Sequence, residues 1–503
     1  RGKIMALQYL AQAFGAVLTP MNMGVLLLST FAGLIMGMLP GLSATMAVAL
    51  LTGLTYRLSS TSAIISLIGV YVGAISGGCQ AAVLLNIPGT PASAATALDG
   101  FPLANRGKGG LAIFLATTAS CIGTLISVIC VLTLTPLLTK VSLQFGSWEF
   151  FLLSLFGVII CGNLTSNGNA VKGWISGVIG LMVAQVGLDQ LDAYPRFSYG
   201  NVNIMAGLAL IPIMIGLFGF PEIIKAFKKT ETHVLEFSPF KLKEGFGVLK
   251  NHAVELIRSA FIGVGVGIIP GVGEDVGGWL SYWASKSTSK HPETFGDGET
   301  AGVVSAEAGN NACIGGAIIP ILSLAVPGSA PAAVLLAAFM MHGYRPGPLL
   351  MNESPEFLYQ ICVDLFLAAL AMWVLAQIVS KFSVKILGVK KEILMPVIYV
   401  LCVVGSFVIN HIMFDVKVMF VFGIIGFFLS AAEFPAAPFL LGVILGSMTD
   451  SNLRRALTIS EGSFLPMFQR PISVIFLIVI VVLILSQFHV FDRFKKRKAN
   501  GQG

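Results

Sequence analysis

The chain has 503 residues, of which 55% are hydrophobic and 11% are charged, and its net charge is +7. Soluble domains carry roughly 25% charged residues, so this composition excludes a soluble globular enzyme as well as a disordered or fibrous protein. The basic residues cluster in short stretches between apolar runs, which is typical of the cytoplasmic loops of membrane proteins rather than of a nucleic-acid-binding surface.

The mean hydropathy of +0.87 predicts an all-α polytopic membrane protein. Because a span needs roughly 20 apolar residues, the length accommodates about 10–12 transmembrane helices. The predicted first half, residues 5–220, begins with an apolar segment at 21–39 that ends in a Gly-Pro-Gly cluster. Further apolar segments of this half lie at 44–56, 62–87, 111–134, 148–161, 171–188 and 203–220.

The charged stretch 221–252 is interpreted as a cytoplasmic linker that contains a short interfacial helix. The second half, residues 253–490, precedes a basic tail at 491–503, which the positive-inside rule places in the cytoplasm. If the basic loop at 381–391 and the tail both lie in the cytoplasm, an even number of spans must separate them. Arg454 and Arg455 then lie outside, against the positive-inside rule. After a first span that reaches a Pro-Gly cluster, the second half has apolar segments at 301–326, 357–379, 393–409, 418–431, 436–447 and 472–488.

The two halves repeat one pattern of helix breaks. GMLPGLS at 37–43 matches GIIPGVG at 267–273, and IPGTP at 87–91 matches VPGSA at 326–330. A Gly-Gly pair precedes the second break in each half. This order predicts two internal repeats, each with interrupted helices or re-entrant hairpins, whose breaks meet in one site near the middle of the membrane.

Helix breaks of this kind leave backbone N–H and carbonyl groups free to bind ions. A half-helix N-terminus favours an anion, while carbonyl groups freed at a break suit Na⁺, so paired breaks indicate a secondary transporter. The predicted substrate-binding residues at these breaks are Ser43, Asn86, Pro88, Gly89, Thr90, Asn310, Asn311, Gly328 and Ser329. The predicted ion-binding residues are Gly37, Pro40, Gly41, Thr45, Gly267, Gly271, Gly273 and Asp275.

Structural roles compete with these assignments and stay open. Helix capping also explains Asn86, Thr90, Ser329 and Asp275, and hydrogen bonding between helices also explains Asn310 and Asn311. Glu307, beside a predicted anion site, could lie near a cation. The sequence has no GxSxG or HExxH motif and no CxxC pair, and we therefore predict no enzymatic activity, no disulfide framework and no cofactor beyond a coupling ion. The alternatives to a transporter are an intramembrane enzyme and a channel without a binding-protein partner.

Three long stretches resemble the large membrane subunit of the tripartite tricarboxylate transporters, and the similarity covers nearly the whole chain. They are GGCQAAVLLNIPGTPASAATALDGFPLANRGKGG at 77–110, EAGNNACIGGAIIPILSLAVPGSAPAAVLLAAFMMHGYRPGPLL at 307–350 and LGVILGSMTDSNLRRALTISEGSFLPMFQRPIS at 441–473.

The resemblance implies a cation-coupled importer of citrate or another di- or tricarboxylate in the bacterial cytoplasmic membrane, working by alternating access. Its implied partners are a periplasmic solute-binding protein and a small membrane subunit of four helices, besides the lipid bilayer and the carboxylate. We further expect an architecture similar to that of elevator-type ion transporters.

Overall fold

The computed structural model describes residues 2–39, 42–165, 169–189, 191–226, 235, 238–389 and 391–487. These residues are predominantly helical, with one antiparallel ribbon in which β1 (Gly187–Leu188) pairs with β2 (Pro195–Arg196). Six helical segments in the described ranges are long and apolar enough to cross a membrane, and shorter apolar helices accompany them. The predicted class, an all-α polytopic membrane protein, is confirmed, whereas the number of spans stays a prediction.

The helices are numbered in chain order. The first twelve are α1 (Gly2–Val17), α2 (Pro20–Met38), α3 (Ala44–Thr55), α4 (Ser60–Leu85), α5 (Ala94–Leu103), α6 (Gly109–Ser142), α7 (Ser147–Thr165), α8 (Ala170–Val183), α9 (Val202–Met205), α10 (Leu210–Met214), α11 (Phe220–Ala226) and α12 (Leu242–Asn251). The others are α13 (Ala253–Ile268), α14 (Gly273–Thr288), α15 (Thr300–Leu324), α16 (Ala330–Met341), α17 (Leu350–Glu353), α18 (Pro355–Ser380), α19 (Ser383–Leu387), α20 (Lys391–Asn410), α21 (Met413–Ala431), α22 (Ala436–Ile459), α23 (Leu465–Gln469) and α24 (Pro471–Gln487).

The chain forms two compact units. Unit 1 combines residues 1–140 with 211–427, and unit 2 combines residues 141–210 with 428–503. Each unit therefore takes segments from both predicted halves. The predicted linker at 221–252 separates the two halves that repeat in sequence, not the two compact units, and it stays a prediction. The described part of this stretch contains most of α11 and the ten-residue helix α12. The basic tail at 491–503 lies outside the described residues.

Several predicted spans differ from the observed helices. The segment 203–220 is not one span, because the chain leaves α9 through Gly207, whose φ of 86° an L-residue rarely adopts. In the segment 171–188 the helix ends at Val183, and the chain then continues into β1. In contrast, α22 continues far beyond residue 447. The helices α1 and α5 were not predicted from the sequence.

In unit 1, the first interrupted helix of each half lies against the long helix that follows it. α2 packs along α4, and α13 packs along α15. The contact is close enough that a Cβ at Gly37 would overlap the Ala74 carbonyl group, and one at Gly263 would overlap the Gly309 carbonyl. Such close approach needs small residues, which accounts for much of the glycine content. It also places the ends of these helices, where the breaks lie, beside one another.

Unit 2 contains α7, α8, α22 and α24, and an ionic network joins α22 to the β1–β2 ribbon that follows α8. Arg454 of α22 donates to Asp189 and Asp192, and Arg196 of β2 donates to Asp189 and to Asp450, the latter at 3.0 Å. Three carboxylates therefore surround two guanidinium groups. The charge of Arg454 is therefore balanced locally, whereas Arg455 is exposed, and the side of the membrane on which both lie stays a prediction.

Candidate functional site

The first-half breaks contact each other. Beyond α2, the Ser43 hydroxyl caps α3 by accepting from the Met46 N–H at 3.1 Å. Beyond α4, the Gly89 N–H donates to the Gly78 carbonyl at 3.3 Å, and Gly89 lies against the Gly37 carbonyl. The two interruptions of this half therefore form one structure. Two of the predicted ion-binding residues, Pro40 and Gly41, lie outside the described residues.

The second-half breaks repeat this geometry. The Gly328 N–H donates to the Ala317 carbonyl at 3.4 Å, and Gly328 lies against the Gly267 carbonyl. The N–H groups of Gly271 and Gly273 donate to the carbonyls of Pro327 (3.3 Å) and Gly328 (3.1 Å). Pairs of residues at corresponding positions of the two sequence motifs thus make corresponding contacts.

The breaks of the two halves lie together within unit 1. Tyr71 of α4 donates to the carboxylate of Glu274, and its hydroxyl lies 3.0 Å from the Ser329 Oγ. Asn310 of α15 donates to the Ala92 carbonyl at 3.0 Å, just after the second break of the first half. Tyr71 and Asn310 occupy equivalent positions in the two halves, because they are separated by the same number of residues as the equivalent pair Thr90 and Ser329. Each half's long helix therefore reaches a break of the other half.

The second-half break has its polar groups satisfied by a carboxylate of the chain itself. Ser329 caps α16, and its hydroxyl donates to Glu274 Oε1 at 2.8 Å while accepting from the Ala332 N–H. Glu274 stands in the first turn of α14, where the helix dipole stabilises a negative charge. This carboxylate is 2% exposed. Its oxygen Oε1 accepts from two neutral hydroxyl groups.

The first-half break leaves the corresponding groups without a partner. The hydroxyls of Thr90 and Ser93 are buried, and neither has a hydrogen-bond partner in the described structure. Both face the bare Cα of Gly78: a Cβ there would lie 2.5 Å from Thr90 Oγ1, 2.6 Å from Ser93 Oγ and 2.9 Å from the Thr90 nitrogen. In the second half, Ala317 occupies the position equivalent to Gly78. We name this arrangement of Gly78, Thr90 and Ser93 the Gly78 cradle.

A second polar cluster lies around Glu307 of α15, which is fully buried. Thr96 of α5 donates to Glu307 Oε1 at 2.5 Å, and Ser120 of α6 donates to Oε2 at 2.8 Å. The Asn311 amide donates to Ser120 at 2.8 Å, to Glu307 Oε2 at 3.3 Å and to the Asn310 oxygen at 2.5 Å. We call these five residues the Glu307 network.

Charged residues of the first signature stretch have a structural role. Asp99 Oδ1 accepts from the N–H groups of Gly296 (2.8 Å), Gly298 (2.9 Å) and Glu299 (2.8 Å). Arg106 pairs with Asp297 at 2.6 Å, although both side chains are largely exposed. Asp99 therefore holds the loop before α15 against α5. This role is structural, and Asp99 lies on the same helix as Thr96 of the Glu307 network.

The predicted site residues separate into three groups in the structure. Thr45, Gly89, Asn310, Asn311, Gly328 and Ser329 are buried at or beside the breaks, as are Gly37, Gly267, Gly271 and Gly273. Asn86 is exposed and ends α4 in a left-handed conformation, with φ of 55°, and Pro88 and Ser43 are half-buried. Asp275 is exposed, and its neighbour Glu274 points inward instead. The binding roles of all these residues stay predictions.

Three residues of the site, Tyr71, Gly78 and Ser120, were not predicted as binding residues from the sequence. Ser93 and Thr96 belong to the polar cluster that the sequence places at the first-half Pro-Gly break, and Glu274 follows the second-half break beside Asp275 as a candidate helix cap or cation ligand. Tyr71 and Ser120 lie inside long apolar helices and give no such signal. Within the described residues, no group of three or more His, Cys, Asp and Glu side chains is arranged to hold a metal ion.

The chain is similar to known proteins over most of its length. The family model described as "Tripartite tricarboxylate transporter TctA family" matches residues 23–441. An Agrobacterium vitis protein, "Uncharacterized 52.8 kDa protein in TAR-I ttuC' 3'region", is 33% identical over 472 residues, covering 92% of this chain and 92% of the relative. A second protein of that organism, "Uncharacterized protein in TAR-II ttuC' 3'region", is 33% identical over 208 residues, which are 41% of this chain and 86% of the relative. No solved structure matches.

Proposed function

The chain belongs to the tripartite tricarboxylate transporter TctA family, and from this we propose that it is the large membrane subunit of a secondary active importer of carboxylates. The substrate is citrate or another di- or tricarboxylate. It crosses the membrane by alternating access through unit 1, where the four breaks lie. We place the substrate at the Gly78 cradle, in contact with Thr90 and Ser93.

The observation that carries this proposal is the difference between the two halves. At the second-half break, the Ser329 hydroxyl donates to the carboxylate of Glu274. At the first-half break, the equivalent Thr90 hydroxyl is buried and has no partner in the described structure. A buried hydroxyl without a partner costs about 1–3 kcal/mol. A carboxylate supplied from outside the chain would give Thr90 the contact that Glu274 gives Ser329.

The local charge distribution favours an anion in the cradle. Thr90 precedes the turn Pro91–Ser93, and Ser93 ends that turn as the N-cap of α5, so the helix presents its N-terminal end there. Between Gly77 and Asp99 the sequence has no Lys or Arg. Recognition by hydroxyl and N–H donors rather than by a buried cation would let the carboxylate leave again, as transport requires.

We also propose that import is coupled to Na⁺. Moving a carboxylate inward against an inside-negative potential costs about 2.3 kcal/mol per charge per 100 mV, so a multiply charged substrate needs accompanying cations. The partners follow from the family in the same way. A periplasmic solute-binding protein delivers the substrate, and a small four-helix membrane subunit binds alongside in the bacterial cytoplasmic membrane, with the C-terminus of this chain in the cytoplasm.

The test is counterflow in proteoliposomes that contain the purified full chain. Vesicles are loaded with one unlabelled carboxylate from a panel that includes citrate and succinate, and uptake of radioactive citrate is followed. We expect at least one di- or tricarboxylate inside to accelerate uptake of the label. A channel would show no such acceleration, and an enzyme would convert the label without accumulating it, so either result would contradict the proposal.

A further inference from the structure

The Glu307 network contains a buried carboxyl group without a positive partner. Glu307 is 0% exposed, and none of the ion pairs in the described part of the chain involves it. It is the eighth of the 25 residues of α15, beyond the first turn in which the helix dipole acts, whereas Glu274 lies in the first turn of α14. A buried carboxylate needs a compensating charge or a bound proton. An ionisable residue in such a position is a functional-site hypothesis on physical grounds.

We propose that Glu307, Thr96 and Ser120 bind the coupling cation, a sodium ion, and that this ion fixes the first-half break for substrate binding. The proposal rests on the proposed function and moves the ion site away from the breaks, where the sequence placed it. Its donor set consists of oxygen atoms only, two from the carboxylate and one from each hydroxyl. Carboxylate and hydroxyl oxygens are the ligands that hard cations prefer.

The same contacts explain how an ion would be accepted. In the structure both hydroxyl groups turn their protons toward Glu307, at 2.5 Å from Thr96 and 2.8 Å from Ser120. A hydroxyl group also carries two acceptor lone pairs and can rotate its proton away. After this rotation, the hydroxyl oxygens of Thr96 and Ser120 and the carboxylate oxygens of Glu307 would all face the cation. The ion would neutralise Glu307 without any change in the backbone.

The ion site is mechanically joined to the Gly78 cradle. Thr96 belongs to α5, the helix that continues from the turn carrying Ser93. A second link runs from Glu307 through Asn311 and Asn310 to the Ala92 carbonyl, with donor–acceptor distances of 3.3, 2.5 and 3.0 Å. Both links end in the segment 90–96. An ion bound at Glu307 would therefore hold this segment in the geometry that presents Thr90 to the substrate, which makes the two ligands bind cooperatively.

Other buried acids fit a cation less well. Glu274 already has the N-terminal end of α14 together with Tyr71 and Ser329. Asp364 of α18 is also 0% exposed, but it accepts only from Gln360 of its own helix, at 2.8 Å, and its second oxygen has no partner in the described structure. Asp364 therefore supplies no set of converging oxygens. It is a matched control for removing a buried membrane carboxylate.

The test measures binding of radioactive Na⁺ to the purified full chain in detergent at fixed pH, with choline as the replacement cation and no carboxylate present. We expect Glu307→Gln to weaken Na⁺ binding at least about tenfold, the smallest effect usual for loss of a supporting group at a metal site. Thr96→Val should also weaken it, whereas Asp364→Asn should bind as the wild type does. Gel filtration establishes whether each variant is folded. If Glu307→Gln does not fold, the test is made with Thr96→Val.

Three results would overturn the proposal. The first is Na⁺ binding that is unchanged in both Glu307→Gln and Thr96→Val. The second is loss of binding in Asp364→Asn together with normal binding in Glu307→Gln. The third is a wild-type chain that binds no Na⁺, which would leave Glu307 as a protonated or purely structural group. Because the assay contains no carboxylate, none of these results depends on whether citrate counterflow succeeds.

Discussion

The substitution Thr90→Val separates substrate recognition from folding. Valine keeps the size and the β-branched shape of threonine and removes only the hydroxyl group. In the described structure that hydroxyl has no partner, and the residue is 1% exposed. Its removal therefore breaks no hydrogen bond within the chain. If the proposed function is right, it does remove a donor to a substrate carboxylate.

The two expected effects have opposite signs. A hydrogen bond to a charged group contributes about 1.5–3 kcal/mol, so substrate affinity should fall roughly tenfold to a hundredfold. Burying an unpartnered hydroxyl is unfavourable, so thermal stability without substrate should stay level or rise, by about 1 kcal/mol at most. Most substitutions at buried positions lower stability, which makes this combination distinctive.

The assay is citrate counterflow over a range of concentrations, with the thermal midpoint of the detergent-solubilised protein measured in parallel. The control is Thr52→Val in α3. Thr52 is also buried, but its hydroxyl donates to the Val48 carbonyl of its own helix at 2.8 Å. That control should leave affinity unchanged. Unchanged affinity in Thr90→Val, accompanied by a lower midpoint, would refute the cradle as the substrate site.

Three further predictions concern the cradle, the basic loop and unit 2. Gly78→Ala should lower substrate affinity at least about tenfold in the same counterflow assay, because the new methyl group overlaps both cradle hydroxyls and such overpacking costs about 1–3 kcal/mol; Gly24→Ala, with open space around its Cβ, is the control. Lys108→Gln should leave affinity unchanged, since Lys108 is exposed and outside the cradle; a large loss would assign anion recognition to a basic side chain. The N–H groups of Leu191 and Asp192 and the guanidinium group of Arg454 lower the pKa of Asp189. The stability that Asp189 contributes is therefore present above its unfolded pKa and is lost as the pH falls below about 4. A plot of thermal midpoint against pH should be flatter below pH about 4 in Asp189→Asn than in the wild type, and parallel curves would contradict this account.

Hydropathy and motif order were sufficient for the class and for the location of the breaks. Long apolar runs predicted α2, α4, α7, α15 and α18 closely, because a membrane span is a local property of the chain, whereas α6 continues eight residues beyond its predicted end. They failed at 203–220, where one glycine with positive φ divides an apolar run. They also failed at α22, which continues as a helix through Asp450, paired with Arg196, and Arg454, paired with Asp189 and Asp192. The charges of α22 looked like a helix end only because their partners are remote in sequence.

By itself, the sequence determined that this is a membrane protein with two related halves and paired Pro-Gly breaks, since composition and repetition are read without knowing contacts. Only the tertiary structure decided which polar groups are still available. Ser329 and Thr90 hold equivalent places in their motifs, yet one donates to Glu274 and the other has no partner in the described structure. The physical reason is that a hydrogen bond depends on side chains brought together from distant segments. For the same reason, Glu307 could be recognised as a buried carboxyl group without a positive partner only after α5 and α6 had been placed beside α15.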